Sequence, residues 1–295
     1  MNGLSRRGER SEAVRLRRLR PFGAGLGAFL LAALTLLGPA RADPVPSLWD
    51  PAAHPEKPDL SGLKAIRFLT ADDYPPLDFA APDGSLAGFN VEIARAVCAE
   101  LRLPCTIQPW RWDALADALE QAKGDAMIAS MRASPALREK FDFTSPYYLT
   151  PARFAARKDF PERPIEGGSL GGRTVGVIKG SAHEAYLGRF FPEAAAKSYA
   201  DFAALHRALK AGEIDLAFAD GLTLAVWIGG EDAADCCAFR GGPFLESRYF
   251  GEGIGIALRK DDSALRRALD YALARVAAKG QYAEIYRKYF PVSFY

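Results

Sequence analysis

The stretch RTVGVIKGSAHEAYLGRF, residues 173–190, reads as one strand, one turn and one helix. Arg173 to Ile178 is short, apolar and β-branched, as a buried strand requires. Gly180 supplies freedom for a tight turn, and Ser181 stands where a helix start uses a side-chain oxygen to accept from its orphan N–H groups. The helix then runs from Ser181 to Phe190. A strand that passes directly into a helix is the unit of α/β architecture. The amides at such a helix start face outward from the carboxyl edge of the sheet.

The same exchange of periods continues in both directions. Downstream, Asp201 opens a helix that Gly212 closes, and Ile214 to Phe218 reads as another strand. Gly255 to Arg259 is a further strand, followed by an amphipathic helix from Ser263 carrying Leu265, Leu269, Ala272 and Val276 on one face. A last helical stretch brings Tyr282, Ile285 and Tyr286 toward Phe290. Upstream, Ala65 to Thr70 is a strand and Ala81-Pro82-Asp83-Gly84 a turn. Asn90 is expected to cap a helix with Ile93, Val97 and Leu101 on one face, and Asp113 to cap a second helix stopped by Gly124. Ala126 to Met131 reads as a buried strand. This alternation, free of internal repeats, predicts the α/β class, with parallel sheets covered by helices on both faces in doubly wound form.

The first 42 residues have another character. Seven arginines from Arg6 to Arg20 precede an apolar run, Ala28 to Leu37, which ends in Ala40-Arg41-Ala42. That order describes a secretory signal peptide cleaved after Ala42, and the run is short of the roughly 18–20 residues a bilayer core demands. Residues 43–62, rich in proline, read as an irregular lead-in. The 38 basic and 36 acidic residues of the chain become 30 and 34 once eight Arg and two Glu of the leader are removed, a net charge near −4. A mildly acidic exported protein without basic runs has no electrostatic reason to bind nucleic acid or anionic lipid.

The four cysteines fit an oxidising compartment. Cys98, on a helix, and Cys105, at the start of the next strand, are seven apart, and a disulfide is expected there. Cys236 and Cys237 are adjacent and form either a vicinal bridge or two free thiols. Neither pair has zinc-type spacing, so no metal or cofactor is expected. Gly251-Glu252-Gly253-Ile254-Gly255 leads into a strand rather than from one, which argues against a nucleotide loop and for a flexible connection. The three histidines, His54, His183 and His206, have no evident acid partner, and a catalytic triad is not expected. Asp72-Asp73 and Asp261-Asp262 read as exposed turn and cap residues.

The chemistry gathers instead at strand ends, where open α/β sheets bind ligands. Gly180, Ser181 and Ala182 follow one strand, Asp220 follows another, and Ser130 and Arg132 close a third. A helix start that accepts a carboxylate, facing a carboxylate that accepts an ammonium, complements a zwitterion.

At this point the chain resembles the amino-acid-type periplasmic solute-binding proteins of ABC transporters, including those for histidine, lysine/arginine/ornithine and glutamine. The resemblance is carried by DGSLAGFNVEIARAVC, WDALADALEQAKGDAMIASM, FDFTSPYY, LGGRTVGVIKGSAHEAYL, AGEIDLAFADG, FGEGIGIALRKDD and GQYAEIYRKYF, in that order. It implies two lobes joined by two hinge strands, lobe one being 63–151 plus 249–295 and lobe two 152–248, with the Cys98–Cys105 bridge in lobe one. It also implies that Tyr74 and Trp112 sandwich the solute's side chain, that Ser181 and its neighbouring amides hold a carboxylate, and that Asp220 accepts from an α-amino group. A membrane permease is the implied partner, and the protein is expected to act as a monomer in the periplasm. One departure matters: where the family places a carboxylate-clamping Arg three residues after a Thr, this chain has Ser134 followed by Leu137, with Arg138 one place late. Arg132 stands where a small hydroxyl residue is usual. Either Arg132 or Arg138 supplies the clamp from a new direction, or the solute lacks an α-carboxylate. The rivals are a cyclohexadienyl dehydratase-like enzyme on the same fold, acting on arogenate or prephenate, and a sensory or accessory ligand-binding module.

Overall fold

The computed structural model describes residues 45, 48–50 and 56–295. The signal-peptide reading and most of the lead-in therefore lie outside the described residues. Strands and helices are numbered along the chain. The first sheet has the order β5 (Cys105–Pro109), β1 (Ile66–Thr70), β6 (Ala126–Met127), β13 (Ala257–Arg259), β7 (Phe141–Phe143). The second has the order β10 (Ala195–Tyr199), β9 (Thr174–Ile178), β11 (Leu216–Asp220), β8 (Ala152–Arg157), β12 (Cys237–Phe239). A small ribbon, β2 (Asp73–Tyr74), β3 (Asp78–Ala80) and β4 (Leu86–Ala87), lies outside both.

Each sheet carries helices on both faces, as the alternation of strand and helix predicts. On one face of the first sheet, α1 (Phe89–Leu101), α8 (Ser263–Ala278) and α9 (Gln281–Tyr289) bury Phe89, Ile93, Val97, Leu269 and Tyr286 with Phe68 of β1. The other face is covered by α2 (Leu115–Glu120) through Leu115 and Leu119. In the second sheet β11 alternates, Leu216 and Phe218 meeting α4 (Ala182–Phe190) while Ala217 and Ala219 meet α5 (Phe202–Ala211) and α6 (Gly221–Ile228). Each fully buried Leu or Phe adds about 1.5–3 kcal/mol relative to exposure, so these two-sided cores decide the layering.

The sheets are mixed rather than parallel, which corrects the expectation. β13 runs antiparallel to β6 and β7, and β8 runs antiparallel to β11 and β12. The chain leaves the first sheet after Phe143, enters the second at Ala152, and returns between Phe239 and Ala257. A strand that enters a sheet from the other half arrives against the local direction, and no count of alternating elements foretells that. The crossing segments bridge at Tyr148–Ile254 and Ala152–Phe244. The Tyr295 hydroxyl accepts from the Leu149 amide at 3.0 Å and donates to the Leu149 carbonyl at 2.7 Å. Gly253, expected to be part of a flexible connection, is a packed crossing point: its φ is +100° and a Cβ would lie 2.4 Å from Leu149 Cδ2.

Two expected caps are not caps. Helix α1 begins after Gly88, whose φ of +126° and 2.3 Å approach of a hypothetical Cβ to the Leu77 carbonyl admit only glycine, while Asn90 is buried one residue inside. Asp113 lies in a 3₁₀ turn, Trp112–Ala114, and pairs with Arg111, so Ala114 precedes α2 without a side-chain cap. Strand β6 is shorter than Ala126–Met131 because the backbone turns at Ser130, φ +60°. Strand β11 begins two residues later than read from the sequence and reaches Asp220, and β13 begins at Ala257 rather than Gly255. Ser181, Asp201, Gly212 and Asp262 cap as their types direct. Both cysteine pairs are bonded, Cys98–Cys105 with a Cα separation of 6.1 Å and Cys236–Cys237 as a vicinal bridge.

Candidate functional site

Strand β11 ends at Asp220, which also caps α6: its Oδ1 accepts from the Thr223 amide at 2.9 Å and the Thr223 hydroxyl at 3.1 Å. The second oxygen takes no hydrogen bond among the described residues. Burial, and then the Asp220 charge, push the Tyr74 hydroxyl above its ordinary range, and Asp220 adds to the upward shift that burial gives Tyr148 and Tyr295. The same carboxylate acts on His183, which burial holds below the usual histidine range, with Arg132 lowering it further and Asp220 opposing. Residues from both halves of the molecule thus share one electrostatic neighbourhood centred on Asp220.

Ser181 caps the start of α4, and Glu184 reaches back past it to Gly180. The Ser181 Oγ accepts from the Glu184 amide at 3.2 Å, and the Glu184 carboxylate reaches back to the Gly180 amide at 2.7 Å. The Gly180 amide is therefore occupied, unlike the expectation for the Gly180-Ser181-Ala182 set. The Ser181 hydroxyl and the first-turn amides of Ala182 and His183 donate no hydrogen bond among the described residues. The His183 ring lies 5.1 Å from that of Phe250 at an interplanar angle of 30° and edges onto Phe218 at 5.7 Å, fixing it at this strand edge.

From the other half come Ser130, Arg132, Tyr74 and Trp112. Asn90 Nδ2 donates to Ser130 Oγ at 2.7 Å, and Tyr148 shares a hydrogen bond with Ser130. Arg132 lays its stem along Gly251, where a Cβ would meet its Cδ at 3.3 Å, and its charge reaches His183. Arg138 is engaged elsewhere, donating to Glu252 at 2.8 Å with its guanidinium 5.7 Å from the Phe143 ring centroid. Tyr74 and Trp112 are 49% and 47% exposed, and neither ring touches another aromatic ring among the described residues. A half-exposed aromatic ring can stack on an apolar or cationic stem. Among the described residues no three His, Cys, Asp or Glu side chains stand close enough to hold a metal, and no helix is long and apolar enough to cross a membrane.

Residues 66–292 match the family described as bacterial extracellular solute-binding proteins, family 3. The chain belongs to that family. Among curated relatives, the L-arginine-binding protein of Pseudomonas aeruginosa is 35% identical over 240 residues, 81% of this chain and 92% of the relative. The ABC transporter arginine-binding protein 1 of Escherichia coli is 30% identical over 231 residues, 78% of this chain and 93% of the relative. Two solved structures share the fold: the unliganded open L-cystine solute receptor of Neisseria gonorrhoeae, with TM-score 0.68, 18% identity and coverage of 77% and 92%, and the open second substrate-binding domain of Lactococcus lactis GlnP, with TM-score 0.66, 21% identity and coverage of 78% and 97%.

In this solute-binding protein, reasoning from sequence passed over two residues that the fold sets beside the candidate ones. His183, read from the sequence only as a histidine without an evident acid partner, is the second residue of α4 and feels the charges of Asp220 and Arg132, and its spacing from Ser181 was the available signal. Asp78 carried none in isolation. It becomes visible only as the cross-strand partner of Tyr74 in the β2–β3 ribbon.

Proposed function

We propose that the captured solute is an amino acid and that the cleft between the sheets reads it as a zwitterion. The observation that carries this reading is the Asp220 carboxylate, with one oxygen spent on Thr223 and one open, acting on Tyr74 and Tyr148 from one half and on His183 from the other. The open oxygen takes the α-ammonium. The Ser181 hydroxyl, the first-turn amides of α4 and the Arg132 guanidinium take the α-carboxylate, Arg138 being tied to Glu252. Tyr74 and Trp112 flank the side chain. Lobe one, 63–151 plus 249–295, holds the solute first, and lobe two, 152–248, closes over it because matched charges are buried only in the closed form. The names of the relatives support delivery to an ABC transporter, which gives the protein a permease as partner; it works as a monomer after export past a cleaved leader and catalyses no reaction.

Isothermal titration against the common amino acids tests this. Asp220→Ala is expected to lose about thirtyfold or more in affinity, since removing one member of a buried hydrogen-bonded charge pair costs about 2–5 kcal/mol. Arg132→Ala should weaken binding and Arg138→Ala should leave it near wild type. Full affinity in Asp220→Ala would remove the residue from the site. One observation favours a second reading, a dehydratase: Asp78 is a buried acid pushed up to about 6, as a proton donor in such an enzyme would be. Formation of an aromatic product from arogenate or prephenate would establish it.

A further inference from the structure

After α9 the sequence runs Pro291-Val292-Ser293-Phe294-Tyr295, outside any helix or strand. A stretch of that kind ordinarily lies on the surface with its backbone in water. Here Ser293 and Phe294 are buried. The Tyr286 hydroxyl of α9 accepts from the Phe294 amide at 3.4 Å and shares a hydrogen bond with Ser293 Oγ at 3.3 Å. The Phe294 ring lies 5.0 Å from that of Phe290 and 5.2 Å from that of Tyr286. One side of the segment is therefore part of the first sheet's core.

The other side carries α6. Leu222 and Ala225 of that helix are buried in the same apolar cluster as Phe294, although α6 follows a strand of the second sheet. At its far end a Cβ on Gly229 would lie 3.4 Å from Val292 Cγ2. At its start a Cβ on Gly221 would lie 2.7 Å from the Pro151 carbonyl oxygen and 3.1 Å from that of Phe294, so nothing larger than glycine fits there. The Gly221 amide donates to the Pro151 carbonyl at 2.7 Å. Gly221 directly follows Asp220. The crossing segment at Pro151 and the segment after α9 thus close together on the neighbour of the proposed solute carboxylate. Tyr295 ties the two, its hydroxyl bonding both the amide and the carbonyl of Leu149, just before Pro151. The flank of α6 toward Pro75 and Pro76 gives no comparable support: a cavity of about 290 Å³ is lined from both sides there, and Val226 at its wall is 46% exposed.

We infer that Tyr295 is a positioning residue for solute capture, pinning residues 291–295 to the crossing segment at Leu149 and so fixing the start of α6, and Asp220 with it, relative to the first sheet. This rests on the reading of Asp220 as the solute's counter-charge. Tyr295 itself touches no solute. A carboxylate already held where the ammonium arrives has no ordering cost left to meet on binding. On a loosened helix start it is in place only part of the time, and apparent affinity falls by that fraction. The fraction belongs to the empty protein, so it is the same for every solute. Gly221 lies against the crossing segment, close to the axis about which the halves turn, so the tie survives closure.

Calorimetric titration of the twenty common amino acids into the wild type selects the probes. Tyr295→Phe, which keeps the ring and removes the hydroxyl, is then titrated with each amino acid that binds, at a temperature where circular dichroism shows both proteins folded. Loss of the Leu149 hydrogen bonds is expected to weaken all of them by one factor, about three- to tenfold. A merely structural role would lower the melting temperature and leave affinity at the wild-type value, and that result overturns the inference. Losses that differ from one solute to the next also overturn it, because they put Tyr295 in contact with the solute's side chain. Gly221→Ala pushes the helix start off Pro151 and Phe294 from the other side. It is expected to give the same uniform loss, and wild-type affinity in it overturns the inference even where Tyr295→Phe fails to fold. Asp220→Ala is measured in parallel. Wild-type affinity there removes the Asp220 reading and this inference with it, whereas a weakened Asp220→Ala beside an unchanged Tyr295→Phe overturns the inference alone. Should no amino acid bind the wild type, the amino-acid reading falls and this inference with it.

Discussion

Asp220 caps the start of α6 with one oxygen and leaves the other without a hydrogen bond among the described residues, so the cap and the proposed binding role compete for nothing. That position was legible in the sequence because a carboxylate directly after an apolar strand falls at the ligand-binding edge whatever its rotamer. Asn90 shows the opposite case: its type and place say helix cap, yet a buried acid in the neighbouring ribbon claims its amide, and Gly88 starts the helix instead. His206 is a further residue whose state burial alone decides. Its ring stacks 4.2 Å from Trp227 at an angle of 13°, and burial pushes it down to about 4. The unfolded chain, titrating near 6.5, therefore binds more protons than the native one between about pH 6.5 and 4, and this group erodes stability as pH falls through that window. Asp78, pushed up to about 6, acts in the other direction, gaining as pH falls from about 6 toward its unfolded value. Comparing wild type with His206→Gln isolates the histidine: on going from pH 7 to pH 5 the melting temperature of the variant should drop less. Equal drops would show that His206 does not titrate in the unfolding transition.

Among elements, the long amphipathic helices and the strands β1, β9 and β11 could be read from periodicity because each carries its own apolar pattern. Strands β10 and β12 could not: β10 is mostly exposed, and β12 has only three residues at a sheet edge. Such short edge strands exist because a neighbour supplies hydrogen bonds, which is information outside the strand. The helix α1 to strand β5 connection is the element most dependent on a covalent tie. Cys98 lies in the last turns of α1, Arg102 ends the helix in a left-handed conformation, and Cys105 begins β5. Closing so short a loop restricts the unfolded chain by about 2–3 kcal/mol. The double variant Cys98→Ser/Cys105→Ser should accordingly melt roughly 4–12 °C lower, at about 2–4 °C per kcal/mol for a protein of this size. An unchanged melting temperature by calorimetry would mean that packing of α1 against α8 holds the connection without the bridge.

For the molecule as a whole, capture by closure predicts a change of shape. Small-angle scattering of the purified protein should show a smaller radius of gyration with saturating solute than without it, and the change should vanish in Asp220→Ala. A radius that stays constant while calorimetry reports full binding would refute closure. The sequence by itself determined the α/β class, the family and the approximate strand ends where the site would form, because hydrophobic periodicity, turn chemistry and caps act over a few residues. The tertiary structure alone decided the mixed strand directions, the packed crossing at Gly253 and Leu149, the engagement of Arg138 by Glu252 and of Gly180 by Glu184, and the pairing of Asp78 with Tyr74 across the ribbon. Each of these joins residues far apart in the chain or side chains competing for one partner, and such contests are settled by which groups the folded backbone brings within reach.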